Sequence, residues 1–177
     1  MEYFLGLGIL NARKGLDIIL DSYGLYEANG GKAALVLIVA GRLRAAIEEL
    51  IKKFDLSDVF LVSDIDFLER DALYQCALAL LFPSRCEGFG YPVVEAMRQG
   101  CPPIAWQGTP AKEIVGETVP LLKLLDPKEV ADQMRAYEDI TPEERRVIAG
   151  SLTERSFLFD GTTFGRNFFN AMTRGWQ

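Results

Sequence analysis

Short apolar runs separated by helix-length amphipathic segments recur down this chain, and that alternation restricts the fold more than any other feature. Runs at 3–9, 34–40, 59–62, 77–82 and 103–106 have the length of buried strands, and 119–124 is a poorer candidate. The helical period predicts helices over 16–28, 45–54, 70–76, 93–98, 128–138, 143–156 and 165–173. In the first of these Leu16, Ile19, Leu20, Tyr23 and Tyr26 share one face, and Asn29-Gly30-Gly31 ends it. Strands alternating with helices across short turns imply an α/β fold built on a doubly wound parallel sheet of Rossmann-like type. Such sheets bind ligands beyond the carboxyl ends of their strands. A length of 177 residues suits one domain, 1–177, whose final segment from about 128 onward is helical.

One strand end carries chemistry. After the apolar run 77–82 and Pro83-Ser84 comes Glu87-Gly88-Phe89-Gly90-Tyr91-Pro92-Val93-Val94-Glu95-Ala96-Met97, which turns into a helix near Pro92. Gly88 and Gly90 flank Phe89, so the backbone can turn sharply and offer bare N–H groups, and the helix N-terminus adds partial positive charge. That is a seat for phosphate. Glu87 lies in the loop, and Glu95 lies about one turn into the helix with its side chain tilted back toward the start. Two carboxylates beside an anion seat need another purpose, and accepting hydrogen bonds from a diol is the obvious one. An anion joined to a polyol describes a sugar nucleotide.

The segment resembles the E-x7-E signature of the retaining glycosyltransferases of family 4, which have the GT-B fold. Tyr3-Phe4-Leu5-Gly6-Leu7-Gly8-Ile9-Leu10-Asn11-Ala12-Arg13-Lys14-Gly15 is similar to that family's first strand and glycine–lysine turn. Leu73-Tyr74-Gln75-Cys76-Ala77, Gly100-Cys101-Pro102-Pro103-Ile104-Ala105, Glu113-Ile114-Val115-Gly116 and Asp126-Pro127-Lys128-Glu129-Val130 continue the likeness. It runs along nearly the whole chain but matches only the C-terminal half of a GT-B enzyme. The resemblance implies transfer of a glycosyl group from a nucleotide-diphosphate sugar, with retention of configuration. Lys14 and Glu87 would be the catalytic residues. Lys14 would hold the diphosphate, Glu87 the sugar hydroxyls and Glu95 the ribose diol. Gly8, Gly88, Phe89, Gly90, Tyr91, Ser63 and Asp64 would complete the donor site, the last two near the base. No metal and no other cofactor is implied. The acceptor, a glycan or a lipid-linked one, would be held by a missing N-terminal domain or partner chain.

The family often carries an arginine where Ile9 stands here, so a non-catalytic nucleotide-sugar-binding module is the alternative reading. Arg42 is a candidate replacement cation. A carboxylate at Asp64 suits guanine's donor edge better than uracil. Asp64-Ile65-Asp66 spells a D-x-D metal motif but reads as an ordinary strand end, and Gly6-x-Gly8 lacks the third glycine of a dinucleotide fingerprint. Phe157, Phe159, Phe164, Phe168 and Phe169 read as packing.

The chain has no histidine, which removes histidine-based triads and histidine-ligated zinc from consideration. A net charge of −6 argues against nucleic acid or an anionic membrane as the main partner. Cys76, Cys86 and Cys101 form no C-x-x-C pair and read as free thiols, with Cys76 and Cys101 buried. No transmembrane segment or signal peptide is expected. The expected location is the cytoplasm, with a peripheral position at the inner membrane face as a variant.

Overall fold

The structure, a computed structural model, describes residues 1–160. The helix expected at 165–173 and Phe164, Phe168 and Phe169 lie outside the described residues. Five parallel strands, β1 Tyr3–Gly8, β2 Ala34–Val39, β3 Val59–Val62, β4 Leu80–Phe82 and β5 Pro103–Ala105, form one sheet in the order β3-β2-β1-β4-β5. The chain winds outward from β1 to β3, returns past β1 to β4, and continues the other way. The reversal therefore falls between β1 and β4.

Side-chain alternation along the strands fills two cores. Phe4, Leu35, Leu37, Val39 and Leu81 face α1 Leu16–Ala28, α2 Arg44–Lys53 and α6 Pro127–Asp139. Leu5, Val36, Leu80 and Phe82 face α3 Phe67–Cys76, α4 Tyr91–Arg98, α5 Ala111–Val115 and α7 Pro142–Ser156. Both faces are covered, as a parallel sheet with near-continuous apolar strands demands. The Rossmann-like α/β class read from the alternation is the class observed.

β1 and β2 pair along their whole length, from Tyr3↔Ala34 to Gly8↔Val39. β1 and β4 pair only at Leu5↔Leu80 and Gly6↔Leu81. The last two residues of β1 thus have no β4 partner, and the sheet parts at its carboxyl end where the winding reverses.

Several boundaries differ from the sequence reading. The strand candidate at 119–124 reduces to a single bridge, Trp106↔Leu122, and β4 is shorter than the apolar run containing it. α5 was not foreseen, because five residues carry too little periodicity to register. α3 begins at Phe67 rather than 70. Asp66 accepts from the Glu69 N–H while the Glu69 carboxylate accepts from the Asp66 N–H, a capping box that starts the helix early.

Candidate active site

Two loops meet over the parted strands. The first follows β1, runs through a 3-10 turn at Ala12–Lys14 and reaches α1 at Gly15; the second joins β4 to α4. They are stitched together by main-chain and side-chain bonds. The Arg85 N–H donates to the Arg13 carbonyl at 2.8 Å, and the buried Ser84 hydroxyl donates to the same oxygen at 3.0 Å. The Arg85 guanidinium grips both oxygens of Asp17 at 3.0 and 2.6 Å and also donates to the Ala12 carbonyl. These bonds hold the Asp17 carboxyl below the usual carboxylate range. Gly15 has φ +73°, and a Cβ there would lie 2.3 Å from the Pro83 carbonyl oxygen. Only glycine permits that approach.

The stitching sets Lys14 against Glu87, Nζ to Oε1 at 2.7 Å, with side chains 21% and 10% exposed. The ammonium also lies 5.8 Å from the centre of the Phe82 ring. Lys14 has further N–H donors beyond the one given to Glu87, and Glu87 keeps its second oxygen. Neither is saturated by the other. Beyond Glu87 the chain passes Gly88 and the half-exposed Phe89 to Gly90, which at φ +103° caps α4. Among the described residues the N–H groups of Gly88, Phe89 and Gly90 donate to no main-chain carbonyl. Tyr91 is 70% exposed, its ring 5.0 Å from that of Phe89.

Glu95 lies one turn into α4 but is turned toward α3. Its Oε1 accepts from Arg70 Nη1 at 3.0 Å, and the Tyr74 hydroxyl stands 3.5 Å from Oε2. Burial, and then the Glu95 charge, push the Tyr74 phenol upward, so it remains a donor.

The structure therefore brings Lys14, Glu87 and the Gly88–Tyr91 backbone to one place, with Glu95 on the flank facing α3. Gly8 is buried at the end of β1, where a Cβ would lie 2.4 Å from a Val39 methyl. Ser63 and Asp64 follow β3 at the sheet's outer edge, with Asp64 at φ +56° and its carboxylate facing the Gly41 turn. Arg42 is exposed on the turn Gly41–Leu43. The D-x-D triplet dissolves into unrelated roles, since Asp66 is the cap of α3. Among the described residues no cluster of three or more acidic or cysteine side chains could hold a metal ion. Cys101 is buried, its thiol pushed upward by burial; Cys86 is exposed; Cys76, expected to be buried, is exposed as the last residue of α3.

Sequence reasoning missed Arg70, Tyr74 and Arg85. A signal existed for the first two. The helix expected over 70–76 already sets Arg70 and Tyr74 four apart on one face, and the pattern Asp66-x-x-Glu69 marks the helix start just before them.

The model of the family described as "Glycosyl transferases group 1" matches residues 2–151. The chain belongs to this family. The chain is 32% identical over 122 residues to D-rhamnosyltransferase WbpZ of Pseudomonas aeruginosa, spanning 66% of this chain and 31% of that protein. Over 149 residues it is 29% identical to the serotype-specific mannosyltransferase WbdA of Escherichia coli, spanning 81% of this chain and 18% of that one. It is also 32% identical over 106 residues to the O-antigen chain mannosyltransferase RfbU of Salmonella typhimurium, covering 58% of this chain and 29% of that one. The chain thus spans less than a third of the length of these curated relatives.

In three dimensions the chain is similar to the alpha,alpha-trehalose 6-phosphate synthase of Burkholderia multivorans. The TM-score is 0.80 at 16% identity, covering 98% of this chain and 43% of that one. The N-terminal domain of trehalose-6-phosphate phosphatase from Candida albicans also gives 0.80, at 13% identity, with 98% and 42% covered. At these identities the likeness concerns the fold. Among the described residues no helix of this group 1 chain is long and apolar enough to cross a membrane.

Proposed function

We propose that this chain is the C-terminal, donor-binding half of a retaining GT-B glycosyltransferase that takes its glycosyl group from a nucleotide-diphosphate sugar. The observation carrying the reading is the Lys14–Glu87 pair at 2.7 Å, set by two stitched loops over the parting of β1 and β4. A lysine, unpaired loop N–H groups and a helix N-terminus together neutralise a diphosphate, so the reading calls on no metal. Glu87 is largely buried and its charge is balanced by Lys14, which lets a carboxylate sit beside an anion. Its second oxygen is then an acceptor for sugar hydroxyls, and Glu95 is the acceptor for the ribose diol. Ser63 and Asp64, which follow the edge strand β3 at the same sheet end, are assigned to the base.

In this reading the sugar's anomeric carbon parts from the diphosphate oxygen and bonds to the acceptor hydroxyl on the same face. The acceptor's proton passes to the departing phosphate. No protein base is needed, which fits a chain without histidine. The acceptor, a glycan or lipid-linked, is held by an N-terminal domain or partner chain. Relatives named as mannosyl- and rhamnosyltransferases put mannose and rhamnose conjugates first in a donor panel, and the Asp64 carboxylate puts guanine first among the bases.

The test is calorimetric titration of wild type and Glu87→Gln with GDP, UDP and their sugar conjugates. Glu87→Gln is expected to bind free nucleotide diphosphate nearly as wild type does, and to lose roughly tenfold or more toward the conjugate. Equal losses for both ligands would remove Glu87 from the sugar subsite.

A further inference from the structure

We propose that Arg70 is a positioning residue that fixes the Glu95 carboxylate as a two-point acceptor for a ribose diol; the inference rests on the donor-site reading above. Arg70 occupies one lone-pair direction of Oε1 at 3.0 Å, and Tyr74 approaches Oε2 at 3.5 Å. A carboxylate offers about four such directions. Two therefore stay open on a side chain that is still 31% exposed. Held from α3 at both oxygens, the carboxylate has a fixed orientation on the first turns of α4.

A plain staple between α3 and α4 is the competing account, and the geometry fits it poorly. A structural Arg–carboxylate pair gains from two parallel bonds. Arg70 instead gives Nη1 to Glu95 and Nη2 to its neighbour Asp71 at 3.3 Å, and stands 5.3 Å from the centre of the Phe67 ring. Its Nε–H is buried without a partner, a sacrifice that simple stapling would not require. Single, part-exposed ion pairs also add little to stability. The guanidinium is spread over three neighbours, and the result is orientation of Glu95 rather than maximal bonding.

The experiment measures a ratio that a merely structural role would not move. GDP and UDP, their 2′-deoxy counterparts and inorganic pyrophosphate are titrated into wild type, Glu95→Gln, Arg70→Met, Arg70→Lys and the double variant Glu95→Gln/Arg70→Met. Wild type is expected to prefer ribose over deoxyribose roughly tenfold or more. Arg70→Met should bring that preference to within about threefold of unity, with pyrophosphate affinity within the same margin of wild type. Arg70→Lys, which keeps charge and stem should Arg70→Met fold poorly, is expected to restore part of the preference. In the Glu95→Gln background, removing Arg70 should change the preference no further, because the two act through one carboxylate. If Arg70→Met and Arg70→Lys both keep the wild-type preference while Glu95→Gln abolishes it, the positioning role is overturned and the ribose assignment stands. A preference intact in Glu95→Gln overturns both. A parallel loss of pyrophosphate binding in the Arg70 variants returns Arg70 to a structural role.

Discussion

Lys14 and Glu87 are each other's partner before any ligand arrives, and that gives single substitutions at the two positions different consequences. Removing the ammonium in Lys14→Ala takes away the cation proposed for the diphosphate and leaves a carboxylate only 10% exposed without its countercharge. Affinity for a nucleoside diphosphate is expected to fall roughly tenfold or more, while the bare nucleoside changes little, because an ammonium reads charge and not base. Calorimetry with both ligands checks this, and a nucleoside loss equal to the diphosphate loss would refute it. Raising the ionic strength should narrow the wild-type advantage, since Lys14 is part-exposed. The position of Ile9 is also clearer. It ends 37% exposed beside Leu10, just past the end of β1, and Arg42 is exposed on the turn that follows the neighbouring strand β2.

At the scale of elements, the site depends on how closely the first loop can approach the second. Gly15 carries that approach. An alanine there meets the Pro83 carbonyl at 2.3 Å in a conformation unfavourable to any side chain, and a main-chain atom cannot step aside cheaply. Gly15→Ala is expected to destabilise the fold by about 2–4 kcal/mol, read as a lower denaturant midpoint at unchanged slope. A midpoint within experimental error of wild type would show that the loops are not locked together there. Much of this architecture was legible in the chain. The apolar runs named every strand, and Gly88, Gly90 and Pro92 announced the loop-to-helix junction. What stayed hidden was short or tertiary. α5 has too few turns to show a period, and among the described residues the 119–124 run bridges to the sheet's continuation only at Leu122. Arg85 and Arg70 were not singled out, because their partners Asp17 and Glu95 become neighbours only when separate loops and helices meet. Cys76 misled in the opposite sense: its apolar company lies in the next strand, while the helix end that carries it faces out.

For the whole molecule, two apolar faces packed against seven helices among the described residues leave the carboxyl edge of the sheet as the place where polar groups gather. A ligand held there is held by the folded state alone. At a concentration about 100-fold above its Kd it adds roughly 2.7 kcal/mol to unfolding, which in a chain of this size raises Tm by roughly 5–11 °C. Thermal scans with the best donor from the panel check this, and an unmoved Tm at saturation would contradict binding to the native site. The stitching of the two loops has a consequence for how the protein comes into being. Lys14 and Glu87 are 73 residues apart in sequence, Ser84 and Arg13 are 71 apart, and Arg85 and Asp17 are 68 apart. On the ribosome, β1, α1 and β2 emerge long before the carboxylate that completes the lysine's surroundings has been synthesised. No partial chain ending before β4 can assemble the seat, however well its early elements have formed. Binding of the proposed nucleotide-sugar ligand would therefore report that the most distant pairing in the sheet has closed, and newly made chains would become competent in one late step.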